Sequence, residues 1–188
     1  MTELSELFAD LSEDLQASLR DLGWHTPTPV QARAIPLMIK GGDLIVQAET
    51  GSGKTGAFGI PLVDGTDTDG AYIQALVMLP TRELANQVAQ ELEILGKHRE
   101  VRVLPVYGGV GYGEQVDALE RGVHIIVGTP GRILDHLGNG RMDLSRLRTL
   151  VLDEADEMLS LGFWPDMREV ASYLPEKRQS NLFSATIP

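Results

Sequence analysis

The chain has 188 residues, 43% of them hydrophobic, which is enough for one core and sits at the upper end of a single domain. It has no cysteine, which excludes disulfide frameworks and thiolate metal sites and suits a reducing cytoplasm. Sixteen Lys and Arg against 27 Asp and Glu give a formal net charge of −11, which on field alone argues against broad nucleic-acid affinity, so that any such partner must be held by a local patch.

The N-terminus carries no basic segment leading into an apolar run, and no stretch approaches the roughly 18 apolar residues of a membrane span. A soluble, intracellular protein is expected. Leu4, Leu7, Phe8, Leu11, Leu15, Leu19 and Leu22 recur at steps of three and four. That spacing predicts amphipathic helix with a break near Asp10 to Ser12, and Ser12 is placed to cap the second piece. The stretch from Gly23 to Gln31 contains two prolines, and Pro29 suits the first position of a new helix running towards Ile39. Gln31 has two readings. Thr28-x-x-Gln31 fits a capping box, and a glutamine amide also matches the donor and acceptor on the N6 and N7 edge of adenine.

Leu44 to Gln47 is an apolar strand running into Ala48-Glu49-Thr50-Gly51-Ser52-Gly53-Lys54-Thr55. Gly51 and Gly53 let the backbone curl so that successive N–H groups point inward, and a helix starting there aims its positive end at the same spot. Lys54 brings a point charge for β- and γ-phosphates, and the Thr55 hydroxyl is placed for magnesium. The pattern G-x-x-x-x-G-K-[ST] is met except at its first position, which is Ala48. A helix from Gly53 to about Leu62 should follow. The acidic stretch Asp64 to Gly70 does not fit a calcium loop, whose register would begin at Gly65 and close at Leu76, so a mobile solvent loop is expected.

Ala75–Leu79 reads as a buried strand leading into Pro80-Thr81-Arg82-Glu83-Leu84 and a helix through Leu95. Arg102–Val106 leads into Tyr107-Gly108-Gly109, His124–Val127 into Gly128-Thr129-Pro130-Gly131-Arg132, Leu150–Leu152 into Asp153-Glu154-Ala155-Asp156, and Leu182–Phe183 into Ser184-Ala185-Thr186. Short apolar strand, polar loop and helix alternate throughout. Such alternation implies an α/β fold with a mostly parallel central sheet, helices on both faces and ligands at the carboxyl ends of the strands. Asp153 would hold magnesium through water, and Glu154 would orient or deprotonate an attacking water. His25, His98, His124 and His136 show no ligand spacing and read as surface or packing residues, so no metal site is encoded by side chains alone.

Asp153 to Asp156 spells the name of the DEAD-box RNA helicases, and the whole chain, 1–188, resembles the first of their two RecA-like domains. Gly23 to Gln31 is similar to the family's Q motif, Ala48 to Thr55 to motif I, where alanine is usual first, and Pro80 to Ala85 to motif Ia. Gly108-Gly109 resembles the GG element, Thr129 to Arg132 motif Ib, and Ser184 to Thr186 motif III. The resemblance implies ATP and magnesium as cofactors and makes Gln31 the adenine reader. Phe8 is its candidate stacking aromatic, with Trp24 as the other. Nucleotide contacts are implied for Thr50, Gly51, Ser52, Gly53, Lys54 and Thr55, with Lys54, Asp153 and Glu154 catalytic.

The resemblance further implies RNA of any sequence as partner, gripped through its sugar–phosphate backbone by Thr81, Arg82, Gly109, Thr129, Gly131 and Arg132. Asp156, Ser184 and Thr186 would pass nucleotide state to the domain junction. The chain stops at Ile187-Pro188, where the family's linker begins, so the arginine finger belongs to an absent second RecA-like domain. An excised fragment that binds adenine nucleotide weakly, hydrolyses ATP barely and does not unwind is expected. The alternative is a nucleotide-controlled RNA clamp working through protein partners, which the acidic surface would suit; a DNA helicase is disfavoured. A cytoplasmic location is expected.

Overall fold

The computed structural model describes residues 4–187. Met1 to Glu3 and Pro188, read above for a leader and a linker, lie outside them. The expected break in the first amphipathic stretch separates α1 (Glu6–Ala9) from α2 (Glu13–Asp21). Ser12 occupies the cap position of α2, but its hydroxyl makes no cap bond and its amide donates to Asp64 Oδ1 at 3.1 Å. The cap expected of its side chain is replaced by this tie to a distant helix end. Then follow α3 (Pro29–Ile39), β1 (Leu44–Gln47), α4 (Lys54–Asp64), β2 (Ala75–Met78), α5 (Arg82–Gly96), a 3₁₀ turn (Lys97–Arg99), β3 (Val103–Val106), α6 (Gly113–Arg121) and β4 (Ile125–Gly128). The chain continues through α7 (Pro130–Gly138), β5 (Thr149–Leu152), α8 (Ala155–Ser160), α9 (Trp164–Ser172) and β6 (Gln179–Ser184).

Among the described residues six strands form one sheet in the order β1-β6-β5-β2-β4-β3, and every pairing is parallel. The chain travels from β1 across to β3 and returns through β5 and β6, so the loops after β1 and β5 open on one crevice at the carboxyl ends. β1 lies at an edge and pairs only with β6, its Ile45 being 69% exposed. Side chains alternate between two cores, as the strand period requires. Val77, Val127, Val151 and Phe183 pack under the layer formed by α2 to α5, whereas Leu76, Met78, Ile126 and Leu150 face α7, α8 and α9. Covering both faces is what makes the central strands continuous apolar runs.

Two segments depart from the sequence reading. The loop after α4 is pinned rather than mobile: Thr66 is buried and donates to Leu62 O at 2.7 Å, while the buried Gln74 amide accepts from Asp67 N (2.9 Å) and donates to Asp67 O (2.7 Å). One glutamine thus closes the loop as a peptide unit would. β6 starts three residues ahead of the expected Leu182, with polar Gln179, Ser180 and Asn181. Those residues are accepted in a strand because Gln179 Nε2 donates to Met38 O (3.1 Å) and Gly42 O (2.7 Å), and Ser180 N donates to Asp43 Oδ1 (2.7 Å). His124 and His136 are fully buried packing residues, as expected. No helix of the described residues is long and apolar enough to cross a membrane.

Phe58 on α4 and Phe183 on β6 are both without exposed surface and meet edge to face, ring centroids 5.2 Å apart. This pair anchors the helix behind the first loop to the strand beside it. Phe183→Ala is expected to remove about 3–5 kcal/mol of unfolding free energy, the usual range for emptying a buried phenylalanine site, measured by urea titration.

Candidate functional site

The loop between β1 and α4 turns on two glycines. Gly51 and Gly53 have φ of 79° and 91°, a region that glycine alone enters without strain. At Gly53 space is also closed, since a Cβ would come within 2.8 Å of both Gln31 Nε2 and Thr28 Oγ1. Ser52 donates its hydroxyl to Glu49 O at 2.6 Å, tightening the turn that carries Thr50. Lys54 opens α4 with its side chain buried, and its Nζ lies 3.0 Å from Glu154 Oε1. Those two residues are 100 positions apart in sequence.

Glu154 sits in the left-handed region with φ of 53°, one of two non-glycine residues among those described to do so. Such backbone costs on the order of 1–3 kcal/mol and is held only by its surroundings. Here the Glu154 amide donates back to Asp153 Oδ1 at 2.9 Å, and the side chain reaches Lys54. Asp153 is buried at the end of β5, and its carboxyl is pushed up to about 6, by burial first and then by the neighbouring Glu154 charge, against the pull of Lys54. A carboxylate so desolvated favours a second cation. No three His, Cys, Asp or Glu side chains cluster as a cage among the described residues. A magnesium ion would therefore take Asp153 and the half-buried Thr55 from the protein and its other oxygens from phosphates and water.

Gln31 is buried and does more than either sequence reading allowed. Both halves of the capping box are formed, Thr28 N donating to Gln31 Oε1 (3.0 Å) and Gln31 N to Thr28 Oγ1 (3.4 Å). Its Nε2 also donates to Gly53 O at 3.1 Å. The residue ties α3 to the phosphate loop. Phe8 must be corrected: it has no exposed surface and packs in the core under α2 to α5, so it offers no ring face for stacking. Trp24 is half-buried beside this loop, its ring 3.0 Å from where a Cβ on Gly56 would stand, with Gln31 Nε2 2.4 Å from the same point.

Beyond the acidic turn, Asp156 and the end of β6 are joined. Thr186 donates to Asp156 Oδ2 through its amide (3.1 Å) and its hydroxyl (2.8 Å), Asp156 N donates to Ser184 Oγ (3.2 Å), and Ser184 Oγ donates to Thr186 O (2.7 Å). Burial pushes the Asp156 carboxyl up, but the Thr186 and Ser184 bonds outweigh it and hold it below the usual range.

Of the six remaining expected residues, Arg82, Thr129, Gly131 and Arg132 line a second depression, with Thr81 and Gly109 next to its lining in sequence. A cleft of about 460 Å³ is bounded by Arg82, Gly108, Thr129, Gly131, Arg132 and Phe163 among others. Thr81 and Thr129 are the cap residues of α5 and α7, so two helix N-termini open there. The Thr81 hydroxyl is occupied by Leu84 N at 3.3 Å. Gly109 (φ 82°) stands close to Arg82, whose Nη1 would lie 3.1 Å from an added Cβ. Arg82 is exposed and paired with Glu83 at 2.7 Å. Arg132 is fixed by residues that the sequence did not flag: it donates to Val110 O (3.1 Å) and Gln115 Oε1 (3.3 Å) and lies over the Tyr112 ring at 4.2 Å. Gln115 also donates to Tyr107 O (3.2 Å) and contacts buried His136 Nε2 (2.7 Å). A lone glutamine in an amphipathic helix carries no signal of such a role.

A model of the DEAD/DEAH box helicase family matches residues 28–188. DEAD-box ATP-dependent RNA helicase CshA of Bacillus cereus is 50% identical over 188 residues, all of this chain and 35% of that protein. CshA of Geobacillus kaustophilus is 48% identical over the same 188 residues, which are 40% of its length. The chain therefore spans little more than a third of these relatives. A DEAD box protein from the hyperthermophile Methanococcus jannaschii superposes with a TM-score of 0.91 at 40% identity, covering 95% of this chain and 49% of that one. A hypothetical ATP-dependent RNA helicase from Sulfolobus tokodaii gives 0.86 at 38% identity, covering 95% of this chain and 52% of that one. The fold is the expected α/β RecA-like domain, with a sheet that is wholly parallel.

The raised Asp153 carboxyl sets a pH dependence. Its folded value near 6 lies above the ordinary 3.8, so the charged group opposes folding in full above about pH 6, and the opposition disappears as pH falls to about 4. Asp153→Asn is expected to stabilise the metal-free protein by about 2–3 kcal/mol at pH 8, with the gain shrinking towards pH 4 in parallel denaturant titrations.

Proposed function

We propose, on the premise that the chain belongs to the DEAD/DEAH box helicase family, that it is the ATP-binding half of an ATP-dependent RNA helicase, completed by a second RecA-like domain. The observation that carries the reading is the meeting of Lys54 and Glu154 at 3.0 Å beside buried Asp153. A phosphate-binding lysine and a hydrolytic carboxylate from opposite halves of the chain share one point.

In this reading the adenine edge is read by Gln31 and its face is stacked by Trp24, the aromatic beside it. Amides of Thr50 to Thr55 cradle the phosphates, and Lys54 exchanges Glu154 for phosphate oxygens. Magnesium, when bound through Asp153 and Thr55, neutralises charge on the transferred phosphoryl group. Glu154, released from Lys54, orients or deprotonates the attacking water. Asp156 couples the acidic turn to Ser184 and Thr186 and so to the second domain. Arg82, Arg132, Thr81, Thr129, Gly109 and Gly131 hold a single RNA strand through its backbone, which carries no sequence information. The cleft relies on two helix N-termini and two arginines, which reconciles RNA binding with a net charge of −11. Without the second domain the chain binds adenine nucleotide and hydrolyses ATP barely.

Calorimetry with ADP and GDP tests the site. The native chain is expected to prefer ADP at least tenfold, and Gln31→Ala to erase the preference while losing about 1 kcal/mol of stability with its cap. Equal binding of ADP and GDP by the native chain would remove the adenine reader. A separate assay addresses the missing domain: RNA-stimulated ATP turnover by these 188 residues should be near background, and robust turnover abolished by Glu154→Gln would overturn that dependence.

A further inference from the structure

The pole of the sheet opposite the phosphate loop carries a second cavity, of about 520 Å³. Arg148 stands immediately before β5, and Lys177 and Arg178 immediately before β6, so adjacent parallel strands present three cations at their amino ends. All three line the cavity, together with Met38, Ile39 and Leu147. Ile39 is 55% exposed. Met38 and Leu147 are almost fully buried and close the floor, leaving Ile39 as its exposed apolar residue beneath a basic rim.

The cations have no acidic partner. In a chain with 27 Asp and Glu against 16 Lys and Arg, none of the three forms an ion pair among the described residues. Arg148 donates to the neutral Tyr72 hydroxyl (3.0 Å), and Arg178 to Pro175 O (2.8 Å) with its Nε buried and unbonded. Arg146 lies over the face of the same Tyr72 at 3.4 Å, placing a fourth cation beside the rim. Asp64 also lines the cavity, but its Oδ1 is bound to Ser12 N. The C-terminal ends of α3 and α4 open here too, and their partial negative charge of about half a unit each accounts for part of the attraction. Their carbonyls are already served, Met38 O by Gln179 and Pro61 O by Gly65 N.

We propose that this cavity is a docking site for an acidic protein segment, one that presents several carboxylates around a bulky apolar side chain. Arginine forks at the rim match carboxylates in bidentate geometry, and exposed Ile39, backed by buried Met38 and Leu147, receives the apolar residue. A nucleic-acid strand fits less well. Dense phosphate would leave exposed Ile39 without an apolar partner, whereas the cleft at the other pole offers two helix N-termini. The site is independent of the nucleotide reading, and a partner bound there leaves the carboxyl-end crevice open.

Fluorescence anisotropy of the full chain tests the proposal, using a labelled twelve-residue peptide with four glutamates around a central Leu-Phe. Saturable binding is expected, weakened at least tenfold by Arg148→Glu with Lys177→Glu, both exposed positions, with the melting temperature unchanged. Replacing the Leu-Phe by Ser-Ser, or the glutamates by glutamines, is each expected to weaken binding at least tenfold. Lys177→Glu alone is a milder variant expected to give a partial loss. Absence of binding, insensitivity to the substitutions, or equal binding of the Ser-Ser peptide would overturn the proposal. So would an oligouridylate that binds the native chain and loses affinity in the double variant to the same degree, which would make the occupant RNA.

Discussion

The pairing of Lys54 with Glu154 is the constraint around which the domain is arranged. Both groups are largely withdrawn from water, at 6% and 15% side-chain exposure. Burying two charges costs several kcal/mol each, and their attraction roughly recovers it, so the contact is poorly suited to stabilising a fold. Its value is that either partner can be exchanged for another of like charge. On the proposed function a phosphate would replace the carboxylate on Lys54, and a cation would replace the ammonium near Asp153 and Glu154. The left-handed backbone at Glu154 and the two left-handed glycines before Lys54 are the local distortions that bring the groups together.

The sheet supplies the frame for that contact. Because every strand is parallel, all carboxyl ends lie at one pole, and the phosphate loop, acidic turn, Ser184–Thr186 and the arginine cleft share it. Hydrogen bonds then link the loops laterally, Gln31 to Gly53 on one side and Asp156 to Thr186 on the other. The opposite pole gathers helix C-termini and strand N-termini, which accounts for part of the cation cluster there. Polarity of the secondary structure, more than net charge, divides the surface into regions with different appetites.

Much of the carboxyl-end site was legible in the sequence because its signals are local. Gly51, Gly53, Lys54 and Thr55 lie in one turn, and Asp153 to Asp156 in another, so spacing alone carries the chemistry. The strand order was not legible, since pairing of β1 with β6 depends on contacts between distant segments. Phe8 was misassigned for a related reason. An aromatic at a helical spacing can face ligand or core, and only tertiary packing, which puts Phe8 of α1 in one core cluster with residues of α2 to α5, decides between them. Trp24, the other candidate, is only half-buried and lies in the stretch already marked by Gln31. Gln74 and Gln115 were invisible because a glutamine that closes a loop or orients an arginine acts through partners its neighbours in sequence do not reveal.

The edge position of β1 bears on how the domain is made. Leu44 pairs with Asn181, and among the described residues β1 has no other strand beside it. A ribosome adding about 5–20 residues per second takes on the order of ten seconds to cover that interval. Throughout it, the strand that carries the phosphate loop has left the exit tunnel with its ladder groups unsatisfied, while β2, β3 and β4 can already associate. Nascent chains of this architecture therefore pass through a window in which β1 is an open, apolar edge, the kind of surface that chaperones shield and that aggregation recruits.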